Sequence, residues 1–110
     1  MIPVSYWLIL SFLLFSIGAY GVLSRKNAIV VLMSIEIMLN AANINFVMFS
    51  SYYSVLHPTA PAAQEALGQV FTLFSIAIAA AEVAVGLAIF LVVYRRYKTI
   101  DVDKINILRW

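Results

Sequence analysis

Three apolar runs divide the chain, at roughly residues 4–23, 28–49 and 71–93. About 20 apolar residues suffice to carry a helix across the hydrocarbon core of a bilayer, so each run predicts one transmembrane span. The turn "SRKN", Ser24 to Asn27, joins the first two. A longer loop, Ser50 to Val70, with Pro58 and Pro61, joins the second and third. No proline interrupts a span after Pro3, so the helices should be unbroken. The tail, residues 94–110, is too short and too polar to span. It is expected to lie along the interface or to dock on a neighbour. The predicted architecture is an all-α membrane protein, one unit over residues 1–110 with three transmembrane helices.

Charge orients the spans. Arg25 and Lys26 lie in the first turn, and Arg95, Arg96, Lys98, Lys104 and Arg109 follow the third span. The long loop has no Lys or Arg and carries Glu65. The positive-inside rule therefore puts the N-terminus outside and the C-terminus on the cytoplasmic or equivalent side. Aromatic residues agree, with Tyr6, Trp7, Tyr52 and Tyr53 at the outer interface and Tyr20, Tyr94 and Tyr97 near the inner one. Arg25 and Lys26 are read as topology determinants and lipid anchors, with contacts to a partner's acidic group as the other possibility.

Composition strengthens the membrane reading and narrows the chemistry. Of 110 residues, 65% are hydrophobic and 11% charged, and mean hydropathy is +1.00. A soluble domain of this size needs far more polar surface. With no cysteine, thiolate metal sites, iron–sulfur clusters, disulfides and thiol nucleophiles are excluded. A single histidine, His57, does not build a metal or haem site and reads as an ordinary loop residue. The N-terminal run lacks a basic n-region and is too long for a signal-peptide core, so it is expected to be retained as the first span.

Against this background the polar residues inside the spans stand out. Glu36 lies near the middle of the second span and Glu82 near the centre of the third. An acidic residue at a helix centre costs roughly 2.5–3.5 kcal/mol, so each should face protein or water and have a use. Neither span offers a basic partner at that depth, and burial disfavours the charged form. Such a carboxyl is suited to carry a proton. At about 100° per residue, Asn40 and Asn43 share the face of Glu36, while Asn45 points the opposite way. Interhelical hydrogen bonding and a relay role both remain open for Asn40 and Asn43. Asn45 is expected to bond to a partner. On the third span Ser75, Ala79, Glu82 and Gly86 share one face, with Thr72 at its edge. Small residues there permit close helix approach. Ala77, Ala80, Ala81, Ala84 and Ala88 narrow the rest of that helix, which reads as packed on several sides by other protein.

The stretches "LFSIGAYGVLSRKN", "VLMSIEIMLNAANINFV" and "GQVFTLFSIAIAAAEVAVGLAI", with the short basic tail, cover nearly the whole chain. They resemble the subunit K family of respiratory NADH–quinone oxidoreductase (complex I) and its photosynthetic NDH counterpart. The ending "DVDKINILRW" is similar to the tails of cyanobacterial-type members. The loop Tyr52 to Leu67 is longer than in compact members. The resemblance implies a three-helix subunit of a proton-pumping membrane arm, without redox cofactor or catalytic centre of its own. Quinone, flavin and iron–sulfur clusters would then lie elsewhere in the complex. The partners would be other membrane-arm subunits in an obligate hetero-oligomer, together with lipid and no nucleic acid. The location would be a bacterial inner or thylakoid-type membrane. The family's two membrane acids map onto Glu36 and Glu82, within a hydrated chain of charged residues linking quinone chemistry to proton translocation. Arg25 and Lys26 match its supportive basic first turn.

Proton transfer by Glu36 and Glu82 is the leading expectation, with Asn40, Asn43 and Ser75 as the supporting polar face and no metal site. Two other readings stand beside it. One is the related small subunit of a multisubunit cation/proton antiporter. The other is a structural spacer whose acids are hydrogen-bonded anchors.

Overall fold

Backbone polar groups must be satisfied within an apolar run if it is to enter a bilayer, and a helix satisfies all of them along its length. The computed structural model describes residues 2–105 and is built on this solution. It has three α-helices, α1 (Val4–Ser24), α2 (Ala28–Leu56) and α3 (Ala62–Tyr97), and a short 3₁₀ turn, Val102–Lys104. All three are long and apolar enough to cross a membrane. The molecule extends 62 × 24 × 21 Å. Helix α2 lies in the middle, packed antiparallel against α1 on one side and α3 on the other.

The expected loop between the second and third spans is corrected. Helix α2 runs on to Leu56 and α3 begins at Ala62, leaving only residues 57–61 as connection. At about 1.5 Å per residue, α2 is about 43 Å long and α3 about 54 Å, well beyond a core of about 30 Å. The added turns are polar but helix-forming: "AAQEAL" is made of good helix formers. Pro58 ends α2 because the residue before a proline is pushed out of the helical region. His57 caps that end, its amide donating to Tyr53 O at 3.0 Å. Pro61 precedes the first turn of α3, where a missing N–H costs nothing. Glu65 sits in that first turn, where negative charge suits the helix dipole.

At the other end the tail folds back. Asn27 caps α2, its side-chain oxygen accepting from the amides of Ile29 and Val30 at 2.9 and 3.3 Å. Beside it, the Ala28 amide donates to Ile100 O at 2.9 Å and the Val102 amide donates to Lys26 O at 3.0 Å. Asn27 and Asp101 thus form an isolated antiparallel bridge. The docking partner of residues 100–103 is therefore the chain's own first turn. Lys26 Nζ reaches Asp103 Oδ2 at 2.9 Å. That hydrogen bond, together with the Asp103 and Asp101 charges, raises the Lys26 pKa above its ordinary value. Arg109 and Trp110 lie outside the described residues.

The buried positions are small or polar: Ser11, Gly18, Ala28, Ser34, Ala41, Asn43, Met48, Thr72 and Ala79. Large apolar side chains such as Phe12, Leu13, Leu73, Phe74 and Leu91 point outwards. Helices are drawn together here by close backbone approach, as expected where the surroundings are themselves apolar. At Gly18 a Cβ would lie 2.5 Å from Met38 Cγ and 2.7 Å from Ser34 O. One turn on, a Cβ at Gly21 would run into the Ser34 side chain. The α1–α2 joint therefore needs both glycines.

Candidate functional site: the seam between the second and third helices

Three contacts fix the register of α2 against α3. Ser75 Oγ donates to Asn43 Oδ1 at 2.7 Å. A Cβ at Gly86 would lie 3.3 Å from Leu32 Cδ2. Ser50 Oγ donates to Glu65 O at 2.6 Å, where Gly68 gives it room. Phe46 and Phe71 pack edge to face between these points, with ring centroids 5.2 Å apart. Glu36 is four residues after Leu32, and Glu82 is four residues before Gly86. Glu36 is also seven before Asn43, and Glu82 seven after Ser75. The antiparallel register therefore sets the two carboxylates level with one another along the seam.

Glu82 and the asparagines lie along different edges of it. Glu82 is exposed and lines a groove on one edge, about 210 Å³ in volume, with Leu39, Phe74, Ser75, Ile78 and Ala79. Asn40 and Asn43 line a larger groove of about 610 Å³ on the other edge, with Val47, Thr72, Ile76 and, from α1, Trp7. Glu36 is half-buried and belongs to the Asn40–Asn43 face by helical period. Asn40 and Asn43 thus line the edge opposite the Glu82 groove, while Glu36 lies close to the direction in which Asn43 meets α3.

Asn43 and Ser75 meet inside the seam. Asn43 is only 5% exposed, and its Nδ2 is buried with no hydrogen-bond partner among the described residues. Thr72, also buried, donates to Gly68 O at 2.8 Å. The face of α3 turned to α2 is Thr72, Ser75, Ala79 and Gly86, as its periodicity predicts, with Glu82 displaced to the rim. Asn45 diverges as predicted. It lines a third groove, between α1 and α2, with Ser11, Phe12 and Ala41. Its Oδ1 is buried and unpartnered among the described residues. Arg25 and Lys26 are exposed in the turn at the end occupied by the tail, far from the seam's middle.

Sequence reasoning passed over Ser34, Ser50, Gly18, Gly21 and Gly68. The three-residue spacing of Gly18 and Gly21 was a readable signal, because it puts two gaps on one face of α1. Ser50 and Gly68 had no such signal, since both fell in the expected loop.

The family model for NADH-ubiquinone/plastoquinone oxidoreductase chain 4L matches residues 6–110. Among similar proteins is the NAD(P)H-quinone oxidoreductase subunit 4L of Leptolyngbya boryana. It is 51% identical over 105 residues, covering 96% of each chain. The NADH-quinone oxidoreductase subunit K of Brevibacillus brevis is 49% identical over 105 residues, 96% of this chain and 94% of its own. The subunit K of Roseiflexus castenholzii is 48% identical over 109 residues, 99% of each.

The chain belongs to the chain 4L family. Within that family's matched region fall both membrane acids, the Asn43–Ser75 hydrogen bond and the two grooves. The match also takes in the tail that pairs with the first turn.

Proposed function

We propose that the chain is a membrane-arm subunit of a proton-translocating NAD(P)H- or ferredoxin–quinone oxidoreductase, and that Glu36 and Glu82 transfer protons coupled to quinone reduction. The observation that carries this reading is the register that sets two carboxylates level along one seam, with no basic side chain among the described residues between them. Both acids lie within the membrane-spanning helices, where an ionisable side chain is expected to face protein or water and to have a use. Quinone, flavin and iron–sulfur clusters belong to other subunits. The exposed alanines of α3, among them Ala77, Ala81 and Ala88, offer close-packing surfaces to those neighbours. The end bearing Arg25, Lys26, Arg95 and Arg96 faces the cytoplasm or its equivalent, by the distribution of positive charge. The membrane is a bacterial inner or thylakoid-type membrane.

The test is Glu36→Gln in the intact complex. The amide keeps the shape and removes the exchangeable proton. Assembly is expected to persist, while proton translocation and coupled quinone reduction are lost. Pumping at the normal proton-to-electron ratio would overturn the reading. A complex that fails to assemble, whether with Gln or with Asp at this position, would favour an anchoring role.

A further inference from the structure

The larger groove, of about 610 Å³, is a trough that all three helices build. Helix α2 forms its floor from Asn40 to Tyr52, between Trp7 of α1 and Ile76 of α3. At about 1.5 Å per residue that floor is about 18 Å long, more than three turns of a helix. Most of it is apolar, with Val47 and Ile76 exposed to the open side. Trp7 and Tyr52 mark the interfacial end, and Asn40 lies deep in the span. Asn40 is exposed, so its amide is open to whatever fills the trough. One turn along, Asn43 is only 5% exposed and its Nδ2 has no hydrogen-bond partner among the described residues. Polar groups at this depth have no bulk water to turn to and are seldom left unpaired. The chain by itself therefore leaves a polar patch at the deep end of an apolar trough.

We propose that this trough seats a transmembrane helix of a neighbouring subunit, and that the helix presents a hydroxyl or amide side chain (Ser, Thr, Asn or Gln) to Asn40. The inference rests on the reading of the chain as one subunit of a multisubunit membrane complex, and not on the roles of the two acids. Depth argues against a lipid. The ester and phosphate oxygens of a lipid stay at the interface, near Tyr52 and about 18 Å from Asn40. The tail that would reach Asn40 has neither donor nor acceptor. A helix fits the length of the trough and can carry a polar side chain to any depth. Hydrogen bonds of this kind between helices are a regular part of membrane packing. The Asn40 amide both donates and accepts, so the side chain that matches it does the same. A charged side chain would sit among Ile44, Val47 and Ile76, which offer nothing to offset its desolvation.

The test uses the intact complex with Val47→Trp and Asn40→Leu. Val47 is exposed on the floor of the trough. An indole there is tolerated beside fluid lipid but collides with a packed helix. Val47→Trp is expected to lower assembled complex per inserted chain on the order of tenfold on native gels. Asn40→Leu keeps the size and removes the hydrogen bond, and is expected to lower it about threefold. Normal assembly of either variant would overturn the proposal. Density of the unsubstituted complex at high resolution is the second arm, decisive should the Val47→Trp chain fail to insert. A helix of another subunit along Asn40 to Tyr52, with a polar side chain bonded to the Asn40 amide, supports the proposal. A lipid tail, a quinone, water alone or a second copy of this chain in that place overturns it. Glu36→Gln, measured beside them, reads the acids separately. Normal pumping there removes their role and leaves the trough standing, whereas lost pumping with normal assembly of Val47→Trp does the reverse.

Discussion

The two seams of this chain are built differently. Between α1 and α2 the fit is steric. Gly18 and Gly21 receive the backbone and side chain of Ser34 and the side chain of Met38. The hydroxyls there turn back on their own helices, Ser11 to Leu8 O at 3.0 Å and Ser34 to Val30 O at 2.8 Å. Between α2 and α3, side chains bond across: Ser75 to Asn43 and Ser50 to Glu65 O. In the first seam these hydroxyls are satisfied within their own helices, and Asn45 Oδ1 is buried without a partner among the described residues. The second keeps Asn43 Nδ2 buried without a partner among the described residues and has Glu82 at its rim, level with Glu36. The two carboxylates belong by register and helical period to the second seam, and on the proposed function that makes it the chemical seam and the first the structural one.

The largest effect is expected from crowding the structural seam. Gly18→Val puts branched carbon against Ser34 O, a backbone atom with little room to yield. Overpacking of this kind costs about 1–3 kcal/mol or more. The amount of assembled complex on native gels should fall sharply, and the complexes that do form should pump at the normal proton-to-electron ratio. A changed ratio in those complexes would blur the division between the seams.

Next comes the chemical seam. Glu82→Gln is expected to lower coupled turnover with assembly intact, but by less than Glu36→Gln. Glu82 lies exposed at the rim and lacks the asparagine stripe that adjoins Glu36. Parallel assays of translocation rank the two directly, and a reversed order would move the principal site to α3.

A smaller change is expected at Gly86→Ala. The added methyl meets the two Leu32 methyls, Cδ2 at 3.3 Å and Cδ1 at 3.5 Å, the far end of a flexible side chain. The shift in thermal stability of the complex should correspond to less than about 1 kcal/mol. A loss as large as that at Gly18 would show the α2–α3 seam to be as tightly constrained as the other.

Smallest is the clasp at the basic end. The folded-state pKa of Lys26 is raised, so its ion pair with Asp103 contributes fully below lysine's ordinary 10.5 and is lost as pH rises through the raised value. Both groups are exposed, and the tail is also held by two backbone hydrogen bonds. Lys26→Met should therefore speed amide exchange at Val102 only a few-fold at neutral pH. The difference from the unsubstituted chain should vanish once the pH passes the raised value.

Much of this was legible in the sequence because periodicity reports faces. It predicted three helices, the divergence of Asn43 from Asn45, and the small face of α3 from Thr72 to Gly86. It did not report where a helix stops once polarity rises. Residues 62–67 are good helix formers, whereas Ser, Tyr and Val over 50–55 are weaker ones, and the two stretches pack together where Ser50 fits against Gly68. Nor did it show the pairing of residues 100–102 with 26–28, since backbone hydrogen bonds between distant segments leave no periodic trace. The level of the two acids along the seam needed the register, and the register depends on contacts between helices.

The central claim is that the α2–α3 seam moves protons through its acids while the α1–α2 seam only holds the subunit together. The most direct measurement is the proton-to-electron ratio of assembled Glu36→Gln complexes in sealed vesicles, taken beside that of the unsubstituted complex. The account predicts that translocation collapses, with residual quinone reduction uncoupled from it, in complexes of normal subunit content. An unchanged ratio in such complexes would contradict it.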